Sequence, residues 1–182
     1  MSGRANSKIR AEIILLLLLM YFKEYEEFQI KLSSIRCQNL DPTFLNISKC
    51  ITKAVSRSIT ETTLNVTLLQ GPVNNVTVKL KFMKKSTDYN LYYGEQTINI
   101  CKFLSYRTQY PISNYLFDLL QPYSNANHTC PYEGAIILDR FRIDNNKLTW
   151  LPIPTGEFAF FSEWYTDNKL RLDLRFYFSF VE

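Results

Sequence analysis

The chain has 182 residues, with 21 Lys and Arg against 17 Asp and Glu. That excess is small and partly gathered at Arg4, Lys8 and Arg10, so it argues against a nucleic-acid partner. With five glycines in all there is no Gly-rich phosphate loop, and no Ser-centred nucleophile elbow is present.

Behind Arg4, Lys8 and Arg10 runs an unbroken apolar stretch from Ile13 to Phe22. This is the layout of a secretory signal over residues 1–22, and the run is about half the ~20 apolar residues a membrane span needs. No small-x-small site follows it, which places the cut loosely between residues 22 and 28. Residues 23–182 then read as a single domain with room for a full core. The final "RFYFSFVE" carries no second span and no lipid-attachment tail. The expectation is a secreted, extracellular protein that is not an integral membrane protein.

An oxidising compartment makes Cys37, Cys50, Cys101 and Cys130 two disulfides. Of the three connectivities, Cys37 with Cys50 and Cys101 with Cys130 close the shorter loops and are favoured. The same compartment makes Asn46, Asn65, Asn75 and Asn127, each followed by x-Ser or x-Thr, acceptors for N-glycosylation.

Along the chain, period-two alternation dominates. "FQIKLSSIR" opens it, and "LNVTL" sets Leu64, Val66 and Leu68 on one face and Asn65 and Thr67 on the other. "NVTVKLKF" repeats the arrangement with Val76, Val78, Leu80 and Phe82 inward. Because "QGPVN" between them supplies turn residues, these two segments are expected to form a hairpin. "TINICKF" is read as a further strand. "PISNYLFDLLQP" breaks the period: Ile112, Tyr115, Leu116 and Leu119 recur at helical spacing, Pro111 suits a first turn and Pro122 stops it. "GAIILDRF", "EFAFFSEWY" and "LRLDLRFYFSFV" return to alternation. About seven or eight strands predict an all-β, immunoglobulin-like two-sheet β-sandwich with one short helix and two disulfides.

Chemistry has few candidates. His128 lies two residues from Cys130, but a disulfide-bonded sulfur is no nucleophile and one histidine cannot assemble a metal site. Asp139 and Asp144, and Glu157 and Glu163, are spaced like solvated strand edges rather than an acid and base pair. No enzyme activity, cofactor or metal is expected. What stands out is the aromatic content: 13 Phe, 12 Tyr and 2 Trp. Such rings fill a core, or line an apolar pocket between two sheets held apart. The residues placed at such a pocket are Phe158, Phe160 and Trp164, Phe176, Phe178 and Phe180, and, on a facing inward strand, Val78, Leu80 and Phe82.

Three segments carry a resemblance: "NICKFLS" (Asn99–Ser105), "YSNANHTCPYEGAIILDRF" (Tyr123–Phe141) and "LPIPTGEFAF" (Leu151–Phe160), with the pattern around Cys37, Cys50 and Arg57. In order and spacing they resemble a large insect family of small secreted proteins of unknown function, itself similar to the MD-2-related lipid-recognition (ML) group. That group's members are disulfide-bonded β-sandwiches holding an apolar ligand between the sheets, and some similar insect proteins are associated with pheromone response. The resemblance implies a binding protein for a lipid or other apolar small molecule, acting in chemosensory or other extracellular signalling, with a cell-surface receptor as a further partner. The alternative is a ligand-free secreted module for protein–protein interaction.

Overall fold

The computed structural model describes residues 29–56, 59–148 and 153–181. The signal segment expected over residues 1–22 lies outside the described residues. In chain order the elements are β1 (Gln29–Asn39), β2 (Leu45–Ala54), β3 (Thr60–Leu68), β4 (Val76–Lys85), β5 (Tyr89–Asn99), α1 (Ile100–Ser105), α2 (Pro111–Leu120), β6 (Ala135–Phe141), β7 (Gly156–Thr166) and β8 (Lys169–Val181). A five-stranded sheet runs β1-β8-β7-β4-β5 and a three-stranded sheet runs β2-β3-β6, with every pairing antiparallel. Among the described residues no helix is long and apolar enough to cross a membrane.

The expected β-sandwich is present, and its core lies between the sheets. Ile30 and Leu32 of β1 with Phe178 and Phe180 of β8 pack against Leu138 and Phe141 of β6. At the other end Leu172 and Leu174 of β8 pack against Leu45 and Val66. The alternation of β8 therefore does what it encodes, sending Leu172, Leu174, Phe178 and Phe180 into the interior. β7 reaches β8 through Asp167 and Asn168, both at positive φ (51° and 61°). That is the backbone a two-residue hairpin needs, and Asp and Asn tolerate it better than branched residues do.

The hairpin expected between "LNVTL" and "NVTVKLKF" does not form. β3 pairs with β2 and β6, whereas β4 pairs with β5 and β7 in the other sheet. The connecting segment crosses between sheets as Val73, unlike the exposed Leu69, is buried and bridges Tyr132 through two backbone hydrogen bonds of 2.8 and 2.9 Å. Alternation reports which face of a strand is wet and says nothing about which strand lies beside it. β4 consequently does not face β7 across the core. Val78, expected opposite, sits beside Trp164 within one sheet.

"TINICKF" is likewise split. Its strand ends at Asn99, whose side chain accepts a 2.9 Å hydrogen bond from the Lys102 N–H and so caps α1. The expected helix is α2, and α1 is a second, shorter one. Cys101 on α1 bonds to Cys130, and Cys37 on β1 bonds to Cys50 on β2. The second bridge joins the two sheets; the first fastens the helical segment to the loop before β6.

Candidate functional site: an aromatic row between the sheets

Strand register builds the site. Phe82 on β4 lies opposite Phe160 on β7, and Phe160 lies opposite Phe176 on β8, with Phe158 opposite Phe178 one step along. Residues two apart share a face, so the rings gather on the inner surface of the five-stranded sheet. Phe82 stacks on Phe158 at 5.3 Å between centroids and on Phe160 at 4.9 Å. Phe160 stacks on Phe178 at 5.3 Å, and Phe180 meets Phe158 edge-on at 5.1 Å.

Of the nine residues placed at a pocket by sequence, the structure brings Phe82, Phe158, Phe160, Phe178 and Phe180 into one set of touching rings. Phe176 packs against both core clusters. Trp164 belongs to the other cluster, where its Nε1–H donates to Ser162 Oγ at 3.0 Å. Val78 is buried and Leu80 half-buried; neither belongs to the ring set.

The rings differ in how far they are covered. Phe158 has no exposed surface and Phe178 and Phe180 are buried. Phe82, Phe160 and Phe176, although on strands flanked on both sides, are only half-buried. A tightly packed interior would cover all of them. Tyr115, Leu119 and Leu120 of α2, and Tyr123, none of them flagged by alternation, pack against the same buried cluster as these rings do. α2 buries none of its own residues. At the sheet edge Tyr92 touches Phe82 and Phe158 edge-on at 5.6 and 5.4 Å. Tyr92 was missed by sequence because β5 is an exposed edge strand, polar and apolar residues alike facing water, with two register shifts against β4.

A separate cleft of about 280 Å³ opens where Ile30 and Leu32 meet Ile59, Tyr123 and Ile143. None of the nine residues lines it, although Ile30 and Leu32 belong to the same core cluster as Phe178 and Phe180.

The remaining candidates settle into structural roles. His128 is exposed, shares a 2.7 Å hydrogen bond with the Thr129 carbonyl and stacks on Tyr132 at 4.4 Å, while all four cysteines are disulfide-bonded. Asp139 pairs with Arg140 and Glu157 with Lys85. Glu163 accepts from the Tyr165 hydroxyl at 2.7 Å and pairs with Lys81 at 3.6 Å; these partners, the tyrosine first, hold its carboxyl below the usual range. Among the described residues no group of three or more His, Cys, Asp and Glu is placed to hold a metal ion. Asn46, Asn75 and Asn127 are exposed. Asn65 is half-buried, and its Oδ1 is shielded from water without a hydrogen-bond partner.

These features define a disulfide-bonded two-sheet β-sandwich with a partly covered aromatic row. Residues 78–160 match the model of a family described as a protein of unknown function (DUF1091). The match spans β4 to the middle of β7, and so includes Phe82, Phe158, Phe160 and both cysteines of the Cys101–Cys130 bridge. Over that stretch the chain is similar to an uncharacterised family. No curated protein matches the chain.

Proposed function

We propose that the protein is a secreted, N-glycosylated carrier that binds a lipid or other apolar small molecule between its sheets, in the manner of the lipid-recognition group its sequence resembles. One observation carries this reading: Phe82, Phe160 and Phe176 point inward from interior strands and are still only half-buried. Apolar surface left accessible inside a sandwich is surface a ligand can cover, at about 25 cal/mol per Å². Exposed side chains at Asn46, Asn75 and Asn127 leave room for glycans.

A bulkier ring in the row tests it. Phe160→Trp should fill accessible space, lowering uptake of a fluorescent fatty-acid probe at least tenfold while the melting temperature holds. In a closed core the same change overpacks and destabilises by about 1–3 kcal/mol. A lowered melting temperature with unchanged uptake sinks the carrier reading. Val78→Phe is a poorer probe, since Val78 is buried beside Trp164.

A second reading, a module for protein–protein interaction, draws on the outer face of the same sheet. There Tyr177 meets Tyr89 at 5.3 Å and Phe161 at 6.0 Å, with Arg36 over the Tyr177 ring and Arg175 over the Phe161 ring. Aromatic residues and arginine of this kind dominate binding hot spots.

A further inference from the structure

Lys84 occupies an unusual place for a lysine. It lies two residues beyond Phe82 on β4 and opposite Phe158, so the period of the strand directs it to the inner face. Its ammonium stands 5.5 Å from the ring centroids of both Phe158 and Tyr92, and the residue is half-buried. The other lysines of this strand find different settings: Lys81 pairs with Glu95 at 3.2 Å and Lys85 with Glu157 at 2.5 Å, while Lys79 lies over the outer-face ring of Tyr165 at 5.1 Å. Among the described residues Lys84 has no carboxylate partner. Two aromatic faces supply part of what its charge loses on leaving water, and they leave its hydrogen-bond donors unclaimed.

Resting on the carrier reading, we infer that Lys84 is the headgroup site for that ligand, which is a single-chain amphiphile with an anionic oxygen headgroup. From Lys84 the half-buried rings Phe82, Phe160 and Phe176 lead inward across β4, β7 and β8, a path of about 10 Å at the usual spacing between strands. A chain laid along that path covers the accessible ring surface, and its acidic end meets the ammonium on β4, beside the edge strand β5. Tyr92, 43 % exposed, marks that edge as open to solvent. An ammonium inside an otherwise apolar mouth discriminates by charge, since a charged hydrogen bond in a partly desolvated site is about twice as strong as a neutral one.

The test compares a fluorescent fatty carboxylate and a monoalkyl phosphate with the fatty alcohol of the same chain, on the full secreted protein and its Lys84→Gln and Lys79→Gln variants. The wild type should bind both anionic probes about tenfold or more tighter than the alcohol. Lys84→Gln should bring them down to the alcohol's affinity without changing the alcohol, which also reports that the variant has folded. Lys79→Gln, the outer-face counterpart, should keep the wild-type preference. A carboxylate preference without a phosphate preference, or the reverse, identifies which headgroup the site takes. Equal affinity for acid and alcohol in the wild type, or an unchanged preference in Lys84→Gln, overturns the headgroup site and leaves the carrier standing. Failure of every probe to bind overturns both.

Discussion

At the scale of single residues, Asp41 shows how the β1–β2 turn is fastened to the end of β8. It is 5 % exposed, accepts a 2.6 Å hydrogen bond from the Thr43 hydroxyl, lies 2.6 Å from the Lys169 ammonium and pairs with Arg171. Lys169 first, then Thr43 and Arg171, hold its carboxyl well below the usual range against the opposing effect of burial. A carboxyl lowered on folding stabilises the native state above its unfolded value of about 3.9 and loses that contribution as pH falls from there. Thermal melts should therefore show a decline below about pH 4 that Asp41→Asn flattens. The variant should also melt lower than wild type at pH 7, where the Arg171 guanidinium, seated 4.1 Å from the Phe44 ring centroid, is left without its counter-charge. A pH profile identical to wild type would remove Asp41 from this role. Two phenylalanines on β7 make a second contrast. Phe158 has no exposed surface, so Phe158→Ala should cost about 3–5 kcal/mol in denaturant unfolding. Phe160→Ala, from a half-buried position, should cost less than half as much; equal losses would mean that the two rings sit in one closed core.

Among elements, what the sequence made legible is what a period can encode. β8 reads plainly because every second residue from Leu172 to Phe180 meets the core. α2 reads plainly because proline begins it and a second proline follows it. β2 is not legible in the sequence: a register shift between Ile47 and Lys49 interrupts its alternation, and most of its residues face outward or lie only partly covered. β5 is legible only at its last residues, because an edge strand exposed on both faces has no period to read. The aromatic row is half legible for the same reason. Alternation selected the rings that point inward, but their neighbours depend on sheet order, which placed Val78 beside Trp164 instead of across from it. The cysteine pairing was legible from loop length alone, with separations of 13 and 29 residues. Each bridge should contribute about 3–4 kcal/mol through the unfolded chain. Replacing Cys101 and Cys130 together with alanine should lower unfolding free energy by that amount, and a loss under about 1 kcal/mol would show that α1 is held instead by packing around Phe103, its one buried residue.

For the whole molecule, the two sheets meet through two buried clusters, and the Phe82–Phe160–Phe176 row packed against them is only half-buried. A sandwich built this way has a stability that depends on what lies between its sheets, because a ligand that binds the native state and ignores the unfolded chain adds its binding free energy to folding. At a hundredfold excess over its dissociation constant that addition is about 2.7 kcal/mol. For a domain of this size each kcal/mol shifts the melting temperature by about 2–4 °C, so a saturating fatty carboxylate should raise it by about 5–10 °C. The rise should follow ligand concentration logarithmically, which separates specific binding from a detergent effect that lowers stability as concentration grows. In Phe160→Trp, where the indole already occupies the accessible space, the shift should fall below about 2 °C. Equal shifts in wild type and variant would place the ligand elsewhere, with the cleft between Ile30, Ile59 and Ile143 the next site to block. No shift in the wild type at any concentration would leave the aromatic row without a ligand of this class and favour the outer-face rings of Tyr89, Phe161 and Tyr177 as the binding surface.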